Sequence, residues 1–319
     1  MYFSIIIPVY NRPAEVLELL ESLTRQTYTH FEILIVEDGS TETCQHIVAQ
    51  YQERLTLRYY FKENSGQGFS RNFGFEKAKG DFFILFDSDC IIPDDYFSIV
   101  HARLAQGHLD IYGGPDRAHP DFNVLQKAIS YSMTSIFTTG GIRGRKSHVG
   151  VFHPRSFNMG LARKVYEKVG GYVITRKGED IIWSITAINN GFQTGLITEA
   201  FVYHKRRTNL VAFFRQLHFF GTARINISRF YPDELKLVHA LPAFFVLGLL
   251  LYLVQWFISP TLFFAGTILL LLYVIVLCLD ATIKTQSIAV GLLAVVTSFT
   301  QLTAYGLGFI QEYIKLKIS

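Results

Sequence analysis

The chain of 319 residues is half hydrophobic and only 18% charged, and its formal net charge is +4. So small a positive charge excludes the strongly basic class of nucleic-acid-binding proteins, and we expect no nucleic-acid partner. Cys44, Cys90 and Cys278 are too scattered for a disulfide framework or a zinc site, which agrees with a reducing compartment. The length and the hydrophobic excess together indicate a globular part joined to a membrane part.

The N-terminal third alternates between short apolar runs and helical patterns. The apolar runs predict buried strands at 3–8, 31–36, 56–61 and 82–86. The segments between them predict helices at 13–26, 41–50 and 66–79, with Pro13 opening the first and Thr41 capping the second. This alternation predicts an α/β fold with a largely parallel, nucleotide-binding sheet.

Beyond Cys90 the pattern is looser. It predicts a helix after Pro93, short strands at 109–112 and 201–204, and a helix opened by Glu179–Asp180. It also indicates an ordered segment at 157–161, followed by a short helix that Gly170-Gly171 ends. Residues 138–146 are rich in Gly and Arg and predict a mobile loop. Residues 210–230 mix aromatic side chains with arginines, which favours a helix in the membrane interface, although a core helix of the globular part would also fit.

The hydrophobic excess is concentrated at the C-terminal end. No Asp, Glu, Lys or Arg occurs between Lys236 and Asp280, nor between Lys284 and Glu312. Because a membrane span needs only roughly 20 apolar residues, we predict three transmembrane helices, at about 238–258, 261–279 and 288–310. The short connection at Ser259 predicts a tight hairpin between the first two.

Basic residues precede the first predicted span, at Arg224, Arg229 and Lys236. The positive-inside rule therefore predicts an integral membrane protein with a cytoplasmic globular part, as in a bacterial inner membrane. Residues 1–8 lack the basic region of a signal peptide, which agrees. Three crossings would leave Lys315 and Lys317 outside, against the same rule, and we nevertheless predict an external C-terminus from the length of the third segment.

The apolar run at 82–86 leads directly into Asp87-Ser88-Asp89. In open α/β sheets ligands bind at the carboxyl ends of the strands, where two carboxylates can hold a divalent cation together with phosphate oxygens. An ordinary turn would use the same residue types, so the spacing alone leaves both interpretations open.

Taken together, these segments resemble the family 2 glycosyltransferases, whose catalytic domain has the GT-A fold, over about residues 3–227. The segment Pro8-Val9-Tyr10-Asn11 is similar to the family's first strand exit, which implies contacts from Pro8, Tyr10 and Asn11 to the donor nucleotide. The segment Glu37-Asp38-Gly39-Ser40 resembles its Asp-Asp-Gly-Ser motif and implies that Asp38 binds the base or ribose. The segment 68–74 is similar to a family segment whose arginine faces the nucleotide phosphates, which implies that role for Arg71.

The same resemblance implies the remaining site residues. Asp87-Ser88-Asp89 matches the family's Asp-X-Asp, with Asp87 on the ribose and Asp89 on Mg²⁺ or Mn²⁺. His204 falls where many members place a further metal or pyrophosphate contact. Glu179–Asp180 matches the pair that carries the catalytic base, which we assign to Asp180. Asn158 and Met159, together with Glu179, are implied on the acceptor side.

Each assignment has a simpler alternative. Asp180 is also a good acid for a helix start, and His204 at a strand end is also a common structural histidine. Glu37 and Lys62 are expected to be surface residues. The Gln-X-X-Arg-Trp motif of chain-synthesising members does not match Gln216 and the four residues after it, so we expect transfer of a single sugar.

The sequence therefore predicts a catalytic domain at 1–207, an amphipathic interfacial segment at 208–236 and a membrane region at 237–319. The resemblance implies a membrane-anchored inverting hexosyl- or N-acetylhexosaminyl-transferase. It would move a sugar from a nucleotide-sugar donor to a lipid-linked or membrane-proximal saccharide, in contact with membrane lipids. The alternatives are a polyprenyl-phosphate glycosyltransferase and a non-catalytic sugar-binding or assembly subunit.

Overall fold

The structure is a computed structural model that describes residues 1–139 and 152–318. Its contacts divide the chain into two compact units. The N-terminal unit contains 1–117 and 150–205, and the C-terminal unit contains 118–149 and 206–319. Residues 118–139, which we predicted within the catalytic segment 1–207, are therefore grouped with the C-terminal helices. The predicted loop at 138–146 lies mostly outside the described residues.

The elements follow one another along the chain in an α/β order and then become entirely helical. The first part contains β1 (Phe3–Val9), α1 (Pro13–Thr24), β2 (Phe31–Asp38), α2 (Gln45–Tyr51), β3 (Leu57–Lys62), α3 (Gln67–Lys77), β4 (Phe82–Phe86), β5 (Cys90–Ile91), α4 (Tyr96–Leu104), β6 (Ile111–Gly113), β7 (Asp116–Arg117), α5 (Val124–Thr134) and α6 (Ile136–Thr139). The second part contains β8 (Asn158–Ala162), α7 (Arg163–Val169), α8 (Glu179–Asn189), β9 (Thr194–Leu196), β10 (Val202–His204), α9 (Leu210–Phe230), α10 (Leu241–Ile258), α11 (Pro260–Thr285) and α12 (Ile288–Ile318).

The larger sheet of the N-terminal unit has the order β3-β2-β1-β4-β8-β6-β9. The strands β3, β2, β1 and β4 are parallel neighbours, as predicted, and β8 runs antiparallel between β4 and β6. A smaller sheet has the order β5-β10-β7. Because parallel strands end at the same edge, the segments that follow β1, β2 and β4 are brought together there.

The central strands are buried on both faces, which explains their unbroken apolar sequence. Phe3, Ile5 and Ile7 of β1 pack on one face with side chains of α1, α2 and α4. Ile6 of β1 and Leu34 of β2 pack on the other face with side chains of α3, α7 and α8. The alternation of side chains along each strand therefore produces a three-layer unit.

The segment after β2 differs from the prediction. The strand extends through Asp38, and α2 begins at Gln45, with Cys44 rather than Thr41 at its cap position. The Asn11 side chain accepts hydrogen bonds from the backbone N–H groups of Thr41 and Glu42, at 2.8 and 3.0 Å, and so holds them outside the helix.

Glu37, which we predicted at the surface, is completely buried, so that prediction is wrong. Its carboxylate accepts hydrogen bonds from the Cys44 N–H at 2.9 Å, from the Tyr59 hydroxyl at 3.3 Å and from the Ser40 hydroxyl. The charge is therefore satisfied within the unit and fixes the turn between β2 and α2.

The C-terminal unit is assembled around α12. The helix α9 contacts it so closely that a Cβ atom at Gly221 would lie 2.1 Å from the Tyr305 carbonyl oxygen. A Cβ atom at Gly308 would likewise lie 2.1 Å from the His218 carbonyl oxygen. Small residues at such a crossing let two helix backbones approach each other.

We expect Gly308→Ala to lower the melting temperature of the detergent-solubilised protein, because the added methyl group meets a backbone carbonyl that cannot rotate away. Overpacking of this kind costs about 1–3 kcal/mol. The matched control is Gly248→Ala in α10, where a Cβ atom would meet nothing within 4 Å. That variant should melt no lower than the parent, and equal melting temperatures for the two variants would contradict the close crossing.

Candidate active site

At the end of β2, Asp38 is buried and held by several donors. One carboxylate oxygen accepts from the Lys62 ammonium at 2.6 Å and from the Ser65 N–H at 2.9 Å, and the other accepts from the Gly66 N–H at 2.8 Å. Although burial opposes it, these hydrogen bonds lower the pKa of Asp38. The predicted nucleotide-binding acid is therefore a fixed anion whose orientation is set by the loop after β3.

Lys62 is not the surface residue that we predicted. The parallel register places it opposite Asp38, and its ammonium group also donates to the Ser65 hydroxyl at 2.6 Å. Only 18% of its side chain is exposed. Its side chain thus helps to fix Asp38 and the loop before α3.

We expect Lys62→Met to lower the melting temperature by several degrees at neutral pH, because a charge-assisted hydrogen bond contributes about 1.5–3 kcal/mol. The lowered pKa of Asp38 means that this stability is present above its unfolded pKa, which is about 3.9, and is lost as the pH falls through the folded value. The difference from the parent should therefore shrink below about pH 4. The exposed Lys79→Met serves as the control, and a pH-independent difference would contradict the Asp38 contact.

The two residues after β1, Tyr10 and Asn11, differ in role: the Tyr10 ring is exposed, and the Asn11 side chain is structural. Half of Tyr10 is exposed, so its ring is available to a ligand, and Pro8 is partly buried next to it. Asn11 has a φ of 51°, in the left-handed region that asparagine tolerates. Because its side chain holds the loop after β2, Asn11 acts on the predicted nucleotide site by positioning that loop.

Asp89 follows β4 and meets His204 from β10. The antiparallel pairing of β10 with β5 places His204 opposite Cys90, and its Nε2 atom lies 2.9 Å from one Asp89 oxygen. The other oxygen binds the Arg12 guanidinium. Although burial opposes it, the charges of His204 and Arg12 lower the pKa of Asp89. Asp89 is therefore ionised in a largely buried site.

The residues around Asp89 fit a divalent cation. The Asp89 oxygen next to His204 is buried, and no donor other than that imidazole reaches it among the described residues. Ligand atoms of Asp89, Cys90 and His204 all lie within 4.8 Å of one another. Carboxylate and imidazole are ordinary ligands of Mn²⁺, and carboxylate with phosphate oxygens is the usual donor set of Mg²⁺. The Cys90 thiol donates to the Phe157 carbonyl oxygen at 3.6 Å, so its present role is structural.

Arg71 joins two parts of the predicted site. Its guanidinium contacts an Asp87 oxygen at 2.6 Å and a Glu179 oxygen at 3.7 Å, while only 2% of the side chain is exposed. It was predicted to face the phosphates, but in the structure the two carboxylates cover it. Asp87 itself is 36% exposed and lies 3.9 Å from His204, measured to Nε2.

The two acids that open α8 lie in different environments. Glu179 is buried beside Arg71, and burial followed by the charge of Asp180 raises its pKa. Asp180 is partly exposed, and one of its oxygens lies 3.8 Å from the Arg155 guanidinium. The pair therefore contains one enclosed carboxyl group and one that a ligand can reach.

Asn158 and Met159 are completely buried, so their side chains do not line a surface in this structure. The Asn158 side chain accepts from the Tyr96 hydroxyl and donates to the Ala200 carbonyl oxygen at 2.8 Å. Met159 packs in the core on the face that carries Leu85. Any acceptor-side role of this segment would have to come from its backbone or its neighbours.

A comparison with known protein families gives a result that agrees with the fold and the site. The family model described as glycosyl transferase family 2 matches residues 4–170, more than half of the chain. The chain belongs to glycosyl transferase family 2. The GT-A-like α/β fold and the three apolar C-terminal helices that the sequence predicted are thereby confirmed.

Curated relatives share part of this family 2 chain. A poly(ribitol-phosphate) beta-N-acetylglucosaminyltransferase of Staphylococcus aureus, TarS, is 35% identical over 115 residues, which are 35% of the chain and 20% of TarS. Glycosyltransferase GlyA of Streptococcus pneumoniae is 32% identical over 112 residues, 35% of the chain and 16% of GlyA. An uncharacterized glycosyltransferase of Haemophilus influenzae is 44% identical over 93 residues, 28% of the chain and 31% of the relative. The chain thus matches less than a third of the length of each of these relatives.

Two solved structures have a similar fold. The crystal structure of S. aureus TarS residues 1–349 shares 22% identity with a TM-score of 0.51, over 72% of this family 2 chain and 65% of that chain. The mannosyltransferase PcManGT of Pyrobaculum calidifontis, solved with GDP-Man and Mn²⁺, shares 16% identity with a TM-score of 0.69, over 98% of this chain and 87% of that chain. At 22% and 16% identity, these comparisons show a shared fold and nothing more specific.

Three side chains of the site were missed by sequence reasoning. Arg12 and Cys90 lie at the cation site, and Arg155 lies beside Asp180. Arg12 directly follows the matched strand exit and Cys90 directly follows Asp-X-Asp, so position next to a motif was the available signal. Arg155 carried no comparable signal, because it lies far from Asp180 in sequence.

Proposed function

We propose that this protein is a membrane-anchored inverting glycosyltransferase. It transfers a single sugar from a nucleotide-sugar donor to a lipid-linked or membrane-proximal saccharide. The observation that carries the proposal is the contact of Arg71 with both Asp87 and Glu179. That contact supports a site in which the acids that would bind the donor lie next to those that would activate the acceptor.

The donor side would use the fixed Asp38 carboxylate and the exposed Tyr10 ring for the nucleoside and Asp87 for the ribose. A buried carboxylate with a set orientation can accept a hydrogen bond from the base or the ribose and so fix the orientation of the nucleoside. Structures of TarS with UDP-GlcNAc and of PcManGT with GDP-Man belong to proteins of similar fold and agree with a nucleotide-sugar donor.

Asp89 and His204 would hold Mg²⁺ or Mn²⁺. When bound, such an ion acts as a Lewis acid that stabilises negative charge on the departing diphosphate. Arg12 adds a fixed positive charge at the same carboxylate, and Cys90 keeps the turn closed against Phe157. The chain itself therefore supplies one acid, one imidazole and one guanidinium at the position where charge develops.

Asp180 would act as the general base. In a one-step transfer the acceptor oxygen forms a bond to the anomeric carbon as the bond to the phosphate oxygen breaks, and the acceptor proton passes to Asp180. General-base assistance of this kind contributes about 10²- to 10⁴-fold in rate. Glu179, held by Arg71, would fix the orientation of the first turn of α8.

The test is an incubation of the purified full chain in lipid nanodiscs with separate nucleotide sugars and Mn²⁺ or Mg²⁺. We expect release of nucleoside diphosphate from one donor and a glycoside product, with the lipid extract as acceptor source. A sugar phosphate product would instead identify a polyprenyl-phosphate glycosyltransferase. Donor binding without Asp180-dependent release from any donor would contradict catalysis and favour a sugar-binding subunit.

We further propose that the N-terminal unit faces the cytoplasm of a bacterial cell, where nucleotide sugars are made. The support is the cluster of basic residues before α10, at Arg224, Arg229 and Lys236, combined with the positive-inside rule. An exposed residue such as Glu53, changed to cysteine, should react with an impermeant thiol reagent only in inverted membrane vesicles. Reaction in right-side-out vesicles would overturn this orientation.

A further inference from the structure

The three apolar helices of the C-terminal unit are not equivalent. Each of α10, α11 and α12 is long and apolar enough to cross a bilayer. In the most apolar stretch of each helix, the buried share is 11% for α10, 6% for α11 and 44% for α12. A helix that is nearly half covered by protein has a different environment from two helices whose apolar side chains are mostly exposed.

The helices α10 and α11 form a hairpin with its turn at Ser259. Near that turn, the Tyr252 and Phe263 rings stack at 4.7 Å, and the Tyr252 hydroxyl lies 2.9 Å from that of Thr267. Most of the large apolar side chains along this half of the hairpin are exposed, for example Leu251 and Phe264. This half therefore has the surface expected of a span in lipid.

Among the described residues, the closest approaches of α12 to the hairpin lie in its other half, where α10 begins and α11 ends. A Cβ atom at Gly306 would lie 2.3 Å from the carbonyl oxygen of Pro242, in the first turn of α10. A Cβ atom at Gly291 would lie 2.0 Å from the hydroxyl of Thr282, in the last turns of α11. Between these points the Phe299 ring contacts Phe245, with centroids 5.6 Å apart.

These contacts do not fit a third crossing. At a helical rise of 1.5 Å per residue, a third span parallel to α10 would carry Gly306 about 22 Å from the level of Thr282 towards the hairpin turn, to about 11 Å from the level of Ser259. Pro242, which Gly306 meets, is instead about 25 Å along α10 from Ser259. Instead, α12 travels about 22 Å from Gly291 to Gly306 while remaining at one end of the hairpin. The helix therefore runs across the end of the hairpin.

Two further neighbours of α12, the helices α5 and α9, meet it through polar groups. On α5, the Ala128 carbonyl oxygen accepts a hydrogen bond from the Thr297 hydroxyl at 3.1 Å. On α9, the Arg229 guanidinium contacts the buried Glu312 carboxylate at 3.0 Å. Charged and hydrogen-bonding groups along both halves of α12 are unfavourable in the hydrocarbon core and ordinary at its surface.

Further polar contacts lie at the end of α11, where α12 crosses the hairpin. The Tyr131 hydroxyl of α5 donates to Asp280 at 2.7 Å, and Lys284 contacts the same carboxylate at 2.9 Å. Both acid and lysine lie in the last turns of α11, where α12 crosses. The end of the hairpin that meets α5 and α12 is therefore polar, whereas the end with the turn at Ser259 is apolar.

We infer that α12 does not cross the bilayer. It lies in the plane of the membrane surface beside α5 and α9, and only α10 and α11 span. The exposed face of α12 contacts lipid of the leaflet on the side of the membrane where α10 begins. Leu292, Val296, Leu307 and Ile314 are 60%, 45%, 40% and 51% exposed. At about 100° per residue, they form one stripe about 60° wide next to the face that meets the hairpin.

This arrangement also places the terminal lysines with the other basic residues. Lys315 and Lys317 in the last turn of α12 lie on the same side of the membrane as Lys236, which precedes α10. A helix in this position presents an apolar stripe to the lipid and has lysines near it, and both features fit a membrane surface with anionic headgroups. The C-terminus is then on the side opposite to the one that three crossings would predict.

The first test compares Ser259→Cys at the hairpin turn with Ile318→Cys, whose parent side chain is 81% exposed. Both are made with Cys278→Ser; the remaining Cys44 and Cys90 are buried. Each variant is treated with an impermeant maleimide in right-side-out and in inverted membrane vesicles. Two spans predict that the two positions react in opposite preparations, whereas reaction of both in the same preparation would establish three spans and overturn the inference.

The second test measures depth in nanodiscs with quenchers attached at known positions on the lipid. Fluorescent labels at Leu292, Leu307 and Ile314 should report similar, shallow depths if α12 lies in the plane. A crossing helix would separate Leu292 and Ile314 by about 33 Å along the membrane normal, with Leu307 deeper than Ile314. Such a graded series would overturn the inference, and neither readout requires an active enzyme.

Discussion

Asp180→Asn is expected to lower turnover by at least about 100-fold while leaving folding and donor binding intact, because asparagine keeps the shape of the side chain but cannot accept the acceptor proton. The residue is the accessible member of the acid pair that opens α8, and its only described ion pair is a long contact to Arg155 at 3.8 Å. Little of the fold therefore depends on its charge.

The measurement for Asp180→Asn is initial rates of nucleoside diphosphate release together with donor affinity by calorimetry. Asp95→Asn, at an exposed position before α4, is the matched control and should retain parental rates. A fall in turnover without a change in donor affinity is the signature of a group that acts on the acceptor proton. Near-parental turnover of Asp180→Asn would remove it from the role of base.

Asp89→Ala is expected to abolish the metal-dependent part of nucleoside diphosphate binding. Asp89 is the carboxylate that meets both His204 and Arg12, and its oxygen next to His204 is buried. Without it, the proposed cation loses the carboxylate that joins protein to pyrophosphate. His204→Ala should weaken the same binding to a smaller degree.

Calorimetry of nucleoside diphosphate binding with Mn²⁺, with Mg²⁺ and with chelator checks the Asp89 prediction. Asp89→Asn retains the size of the side chain and distinguishes loss of the negative charge from loss of packing around Arg12, while Asp95→Ala is the exposed control. Equal affinity of Asp89→Ala and parent under all three conditions would remove the metal from the mechanism.

Local sequence patterns were sufficient to predict the parallel strands and the three apolar helices, because long apolar runs have few alternatives to burial in a sheet or in lipid. The sequence also predicted that Asp38, Asp87 and Asp89 lie at one edge of the sheet, since the carboxyl ends of parallel strands meet there. These are properties of local patterns, and the structure confirms the elements that they predict.

Which charged residues are buried, and which groups they contact, depends on how distant segments pack. The Glu37 and Lys62 side chains are polar in sequence and enclosed in the fold, because the strand register places Lys62 opposite Asp38 and the turn after β2 closes around Glu37. Likewise, His204 reaches Asp89 through a pairing of two short strands far apart in sequence.

The course of α12 is the sharpest example of this difference. The length and composition of α12 are compatible with a helix that spans the membrane and equally with a helix that lies in the membrane plane. What separates the two is the position of its partners, Pro242 and Thr282, at one end of the hairpin. Such contacts depend on how distant segments pack, and no pattern within the helix contains that information.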